Sequence, residues 1–265
     1  ETGWMSSFPK LIDPTPLALV AMGICMRPLL TGVPATAFAE MEAMAQTLDL
    51  PFDAVWLAQN APLFAASADK SVYYQAPLCT MFAVTGERAG KEGLVVGRTL
   101  DWALDEQNVL VETHPKEGHT FAQAGFAWNA GVFTGMNDAG LTVCVESVGE
   151  IGMKKVAGPP IEFGLRAALE EDDTYDKAVA RMRAWTHLHG WRVLVAGKSD
   201  KGWRAGVVEF GGEVRLREPR EDGLLLAVKP DEDGPDPDTL ARYARVDALL
   251  GGTAPVDPAT IEKTL

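Results

Sequence analysis

Apolar residues change their period twice along the chain. Over residues 34–48, Phe38, Met41, Met44, Ala45 and Leu48 recur at helical spacing, and residues 53–60 read as a second short helix begun by Pro51. An apolar run at 17–26 precedes them, so residues 1–60 form a helical opening segment. Pro62, Ser67, Asp69 and Pro77 interrupt any pattern over 61–78, which reads as a loop. After it the texture is that of strands, with short apolar or β-branched runs at 80–85, 94–97, 109–113, 132–134 and 141–145. Gly86 to Gly93 is a polar turn between the first two, and Asn137 to Gly140 a hairpin turn between the last two. Helical patterns return at 161–170 and 174–185, then strands at 192–196, 204–210, 213–216 and 224–228. A helix at 239–250 follows, with Asp238 as its N-cap, and a final one starts at Pro258.

Strands therefore come in antiparallel runs instead of alternating with helices, which excludes a doubly wound parallel sheet. The expected class is α+β: a four-layer αββα sandwich of two antiparallel sheets with helices on their outer faces.

Composition narrows the function. A chain of 265 residues, 47% hydrophobic, can bury a full core without staples. Its net charge of −13 repels phosphate backbones and anionic lipid, so nucleic acid is excluded as a partner. The apolar run at 17–26 is too short to span a bilayer and is followed by Arg27 and Pro28. Ala35 to Ala39 has the small-residue spacing of a signal-peptidase site. A cytoplasmic protein is expected, with a secreted or periplasmic one as the alternative. The first residue is not Met and the last lies inside a helical pattern, so a chain truncated at its C-terminus is expected.

Three cysteines, Cys25, Cys79 and Cys144, are too few and too far apart for a disulfide framework or a zinc site. No dinucleotide or phosphate-cradling glycine loop is present. His114, His119, His187 and His189 lack the spacing of a helical metal pair. No metal or organic cofactor is expected.

The chemistry concentrates around Cys79. It opens a strand whose hairpin partner ends in Arg98 and Asp101, and a hairpin folds those two back toward it. A thiol of pKa ~8.5 is mostly protonated at neutral pH, and a nearby guanidinium favours its thiolate. Asp101 can orient or charge-balance the group that takes the proton. No histidine lies in this stretch. An α-amine, of pKa ~7.7–8.0, is a suitable base, and it becomes available on Cys79 itself if the Leu78–Cys79 bond is cleaved. A Cys–His peptidase using a distant histidine such as His189 is the other reading.

Several motifs in order carry a resemblance. They are Cys79, Thr80, Phe82 and Ala83; then Gly97, Arg98, Asp101 and Trp102; then Thr134 through Leu141; then Gly158 through Arg166. Val193 to Gly197, Gly206 to Glu209 and Ala241 to Arg245 follow. Together they resemble the linear-amide N-terminal-nucleophile (Ntn) hydrolases. The branch is that of acyl-coenzyme A:6-aminopenicillanate acyltransferase, with choloylglycine hydrolase, penicillin V acylase and acid ceramidase as cousins. The resemblance implies residues 1–78 as a helical pro-segment and linker and 79–265 as the Ntn-hydrolase domain. It also implies cleavage between Leu78 and Cys79, Cys79 as nucleophile in both cleavage and turnover, and Arg242 beside it. Two oxyanion-binding asparagines of the hydrolases are replaced, one around Glu146 and Ser147 and the other at Lys229. Such a donor contributes on the order of 3 kcal/mol, so the Ser147 hydroxyl, the Lys229 ammonium or backbone amides are expected to stand in. The implied partner is a small-molecule N-acyl amide. A catalytically degenerate homologue that binds without turnover is the third reading.

Overall fold

The computed structural model describes residues 16–60, 79–100, 108–147, 158–185, 189–211, 213–228 and 237–264. Leu78, Asp101, His187 and Lys229 lie outside them, as does the whole loop read over 61–78. No described helix is long and apolar enough to cross a membrane.

The opening segment is helical: α1 (Pro16–Cys25), a 3-10 turn (Arg27–Leu30), α2 (Ala35–Leu48) and α3 (Phe52–Gln59). Its apolar positions, among them Met41, Ala45, Val55 and Trp56, converge on one cluster with Ala130 and Phe163 from the body. Trp56 carries its own polar satisfaction, donating Nε1–H to the Met26 carbonyl at 3.0 Å. Each such large side chain contributes about 1.5–3 kcal/mol of burial. Ala35 to Ala39 form the first turns of α2, where Ala37 is fully buried.

The first strand pair, β1 (Thr80–Thr85) and β2 (Leu94–Thr99), is antiparallel, and β10 (Leu224–Leu226) joins β1 on its other side. A second sheet runs in sequence order: β3 (Asn108–Thr113), β4 (Phe121–Phe126), β5 (Thr134–Asn137), β6 (Thr142–Ser147), β7 (His189–Ser199), β8 (Gly202–Gly211) and β9 (Val214–Arg217). One face of the large sheet, with Val143, Val145, Val193 and Val208, packs on α4 (Ile161–Glu171) and α5 (Tyr175–Arg183). Its other face, with Cys144, Leu194, Ala196 and Val207, meets the small sheet. The small sheet is covered in turn by Tyr243, Val246 and Leu250 of α6 (Pro237–Leu250), and α7 (Pro258–Thr264) closes the described chain. The order of layers is helix, sheet, sheet, helix. The αββα expectation holds.

Being covered on both faces, β1 is buried at Thr80 through Val84 and shows no polar alternation, as expected of an inner strand. Helix α4 is likewise buried along nearly its whole length, because the sheet lies on one side and the opening helices on the other. Its Arg166 binds Glu170, Glu40 of α2 and the Ala130 carbonyl, tying the two sides together.

Beside shifts of a few residues at other element ends, three departures from the sequence reading stand out. Strand β4, Phe-Ala-Gln-Ala-Gly-Phe, went unread because its central residues have little β propensity; β3 and β5 hold it in place. The strand read at 132–134 begins at Thr134 instead. Helix α6 begins at Pro237, so Asp238 lies in its first turn and is not the N-cap.

Candidate active site

Cys79 stands just before β1 and is buried. The register of the first hairpin sets Met81 opposite Arg98 and Phe82 opposite Gly97. Glycine is needed at 97, since a Cβ there would lie 2.3 Å from the Phe82 ring. That contact gives a packing reason for the Phe and Gly of the first two motifs. The hairpin returns Arg98 to the start of β1, where Nη2 donates to Cys79 Sγ at 3.6 Å and to the Val145 carbonyl at 3.0 Å. Val145 belongs to β6, so this guanidinium spans the seam between the two sheets. A cation held there by a second bond stabilises negative charge on the sulfur without having to move.

Helix α6 supplies two further groups from consecutive residues. Arg242 Nη1 donates to Thr80 Oγ1 at 2.8 Å, while its Nε lies 3.4 Å from Asp238 Oδ2. Tyr243, fully buried, accepts from the backbone N–H of Met81 at 2.9 Å and donates to Glu146 Oε2 at 3.1 Å. The two residues after Cys79 are thus both gripped by α6.

Glu146 lies on the β6 face that meets the small sheet. Burial pushes its carboxyl up to about 7, against the opposing pull of Arg192 and of the Tyr243 hydrogen bond. Arg192 Nη1 is 3.6 Å from Glu146, and its Nε is 3.5 Å from Glu209. Arg217 then pairs with Glu209 at 2.9 Å and donates to the Leu226 and Ala227 carbonyls. A ladder of alternating charge therefore crosses β6 to β9 between the sheets. Neither Glu146 nor Tyr243 was read from sequence as a site residue. The available signal was parity, because Glu146 shares a strand face with the core residue Cys144, where a carboxylate is unusual.

The remaining candidates differ in their surroundings. Ser147 ends β6, opposite Trp191, and its side chain lies outside the described residues. Cys144 is buried, and desolvation drives its thiol up to about 11 despite nearby Arg98, which makes it a packing residue. His119 pairs with Asp138 at 2.6 Å and His114 with Glu112 at 3.2 Å, both in exposed positions. The side chain of His189 is outside the described residues. Among the described residues, no group of His, Cys, Asp or Glu could hold a metal ion.

The motif from Thr134 to Leu141 turns out to be architectural. Gly140 adopts φ +84° in the hairpin turn, and Asn137 accepts from the Leu141 N–H. The Asn137 amide also donates to the Leu169 and Asp172 carbonyls, fastening the hairpin to the end of α4.

Comparison with known proteins bears on the fold and on the sequence resemblance. A family model described as acyl-coenzyme A:6-aminopenicillanic acid acyl-transferase matches residues 88–216, a stretch that includes Arg98 and Glu146 but neither Cys79 nor Arg242. The solved structure of the Caenorhabditis elegans N-acylethanolamine-hydrolyzing acid amidase ortholog superposes with a TM-score of 0.52 at 18% identity, over 71% of this chain and 85% of that one. The fold is that of the Ntn hydrolases. By sequence, the chain resembles the acyltransferase family named by its motifs. A conjugated bile acid hydrolase mutant from Clostridium perfringens has a TM-score of 0.37 at 14% identity, over 65% of this chain and 58% of that one. No curated protein sequence matches the chain.

Proposed function

We propose that the chain is an autoprocessing cysteine amidohydrolase or acyltransferase that acts on a small linear N-acyl amide through a thioester. The reading is carried by one contact: the Arg98 guanidinium, braced on the Val145 carbonyl, lies 3.6 Å from Cys79 Sγ.

In the precursor, Sγ attacks the Leu78 carbonyl carbon. A C–S bond replaces the C–N bond, and the proton lost from the thiol passes to the departing amide nitrogen, which becomes the new α-amine of Cys79. Water then hydrolyses the thioester, leaving a carboxylate on Leu78 and a free thiol. In turnover that amine accepts the thiol proton as Sγ attacks the substrate carbonyl and hands it to the leaving amine. Water or an acceptor amine then resolves the acyl-enzyme. Arg98 supports the sulfur's charge, Asp101 balances the ammonium, Arg242 braces the strand, and Ser147 or Lys229 is proposed to help hold the oxyanion. Residues 1–78 act as the pro-segment.

Mass spectrometry of the purified protein tests the reading. A fragment beginning at Cys79 is expected from the wild type and not from Cys79→Ala. Processed protein is expected to release amine from a panel of short- and long-chain N-acyl amides. A wild-type chain that stays whole between pH 4 and 9 and leaves every amide intact overturns the reading.

A further inference from the structure

Resting on the proposed function, the geometry points to Tyr243 as a positioning residue of the reaction: its phenol oxygen joins the buried Glu146 carboxyl to the backbone of Met81, two residues beyond the nucleophile.

The argument begins with a backbone donor at the end of a sheet. Strand β10 pairs with Phe82, Ala83 and Val84 of β1, and the Met81 carbonyl still accepts from Ala227 N at 2.9 Å. There the ladder stops. The Met81 N–H, buried, takes its acceptor from a side chain instead, and that acceptor is the Tyr243 phenol at 2.9 Å. A phenol has one proton to give. With its oxygen committed to the Met81 N–H, that proton goes to Glu146 Oε2. Burial and the nearby Glu146 carboxyl raise Tyr243 well above the ordinary phenol range, so it stays a donor at every pH the protein meets.

The consequence is a mechanical and electrical link. Cys79, Thr80 and Met81 are consecutive; Arg242 holds Thr80, and Tyr243 holds Met81. Any shift of Glu146 toward or away from the phenol moves the anchor of the segment that aims Sγ. The charged groups facing Glu146 are Arg98 from β2 and Arg192 from β7. Tyr243 approaches from α6, Cys144 lies on Glu146's own strand, and Glu209 acts beyond Arg192. The carboxylate form accepts the phenol proton strongly and completes the ladder. The neutral form accepts it weakly and leaves Arg98 and Arg192 without their shared counter-charge. With burial pushing the Glu146 carboxyl up to about 7, the change falls near neutral pH. Tyr243 and Glu146 act through the nucleophile's segment and touch no substrate.

The test needs no known substrate. Tyr243→Phe keeps the ring and its packing and removes only the oxygen, and Glu146→Gln keeps the shape and removes the charge. Two rates are followed from pH 5 to 9: formation of the fragment beginning at Cys79, and alkylation of Cys79 by iodoacetamide. Wild type is expected to show a limb near pH 7 in both. Glu146→Gln is expected to lack that limb. Tyr243→Phe is expected to slow cleavage about tenfold and to move the limb to higher pH, because removing a bond to the carboxylate makes it protonate more readily. Thermal melting of each variant separates a positioning effect from unfolding, and alkylation reports on the folded variant even where cleavage is lost. If Tyr243→Phe matches the wild type in rate and limb, the phenol serves only as packing and the inference falls while the proposed function stands. If the wild type neither cleaves nor shows a limb in alkylation, the proposed function and this inference fall together.

Discussion

The guanidinium of Arg242 donates to Oγ1 of Thr80 at 2.8 Å across 162 residues of sequence, fastening helix α6 to the residue that follows Cys79. The same side chain reaches Thr239 and Asp238 within its own helix, so the helix end and the strand start are held by one planar group. A lysine has a single nitrogen and cannot span these contacts. Arg242→Lys is therefore expected to slow self-cleavage about tenfold, which corresponds to about 1.4 kcal/mol. Thr80→Val is expected to act in the same direction, and the double variant to be little worse than either single one. Full additivity of the two would show that the contact is idle.

How much of this was legible in the sequence depends on distance along the chain. The first hairpin could be read because its strands are adjacent and a short turn leaves little choice of partner. Register then brought Arg98 back to Cys79. The two-sheet class followed from strands arriving in runs, and the helix-sheet-sheet-helix order bears it out. Strand β4 was lost because alanine, glutamine and glycine carry no local strand signal. Glu146 and Tyr243 were lost for a different reason. Their pairing spans 97 residues, and nothing local in a helix announces which residue will reach a distant strand. Arg242 entered only through resemblance, for the same reason. Asp101, Lys229 and Leu78 lie outside the described residues.

The three thiols are expected to behave differently toward iodoacetamide. Cys25 is exposed, whereas Cys79 and Cys144 are buried. Desolvation raises Cys144 to about 11, so little thiolate exists at pH 8. Peptide mapping after labelling at pH 8 is expected to find Cys25 modified fastest and Cys144 unmodified until denaturant is added. Rapid labelling of Cys144 in folded protein would contradict its placement between the sheets.

Arg166 joins the opening helices to the body through buried charge. Its side chain is 2% exposed, with Glu170 at 2.9 Å and Glu40 at 2.6 Å. Thr36 of α2 donates to the same Glu170 carboxylate. Arg166→Met removes the cation and leaves Glu170 buried with that hydroxyl as its one side-chain partner among the described residues, a loss expected to reach about 3–5 kcal/mol. Adding Glu170→Gln to it removes the stranded charge and is expected to restore part of the stability. The urea midpoints of the wild type and both variants check this, and a single variant within about 0.5 kcal/mol of wild type contradicts a buried lock.

Glu162 makes stability itself depend on pH. It lies in the first turn of α4, 3% exposed, and burial raises its carboxyl from 4.5 to about 7, weakly opposed by a backbone hydrogen bond. A carboxyl whose folded pKa lies above its unfolded one is neutral and fully stabilising below about pH 4.5. Its contribution is then lost as pH rises through 7, since the folded state must ionise in a dry site. The shift corresponds to about 3 kcal/mol between those limits. Carboxylates held low, such as Asp222 at about 2, act oppositely and only in more acid solution, so the informative quantity is the difference between two proteins. Glu162→Gln copies the neutral form at every pH. Relative to wild type, the variant is expected to gain about 3 kcal/mol in unfolding free energy between pH 4.5 and 8, read from urea titrations at several pH values. A difference that stays flat over that range would mean that Glu162 ionises as an ordinary surface carboxylate does, contrary to its burial under Gly131.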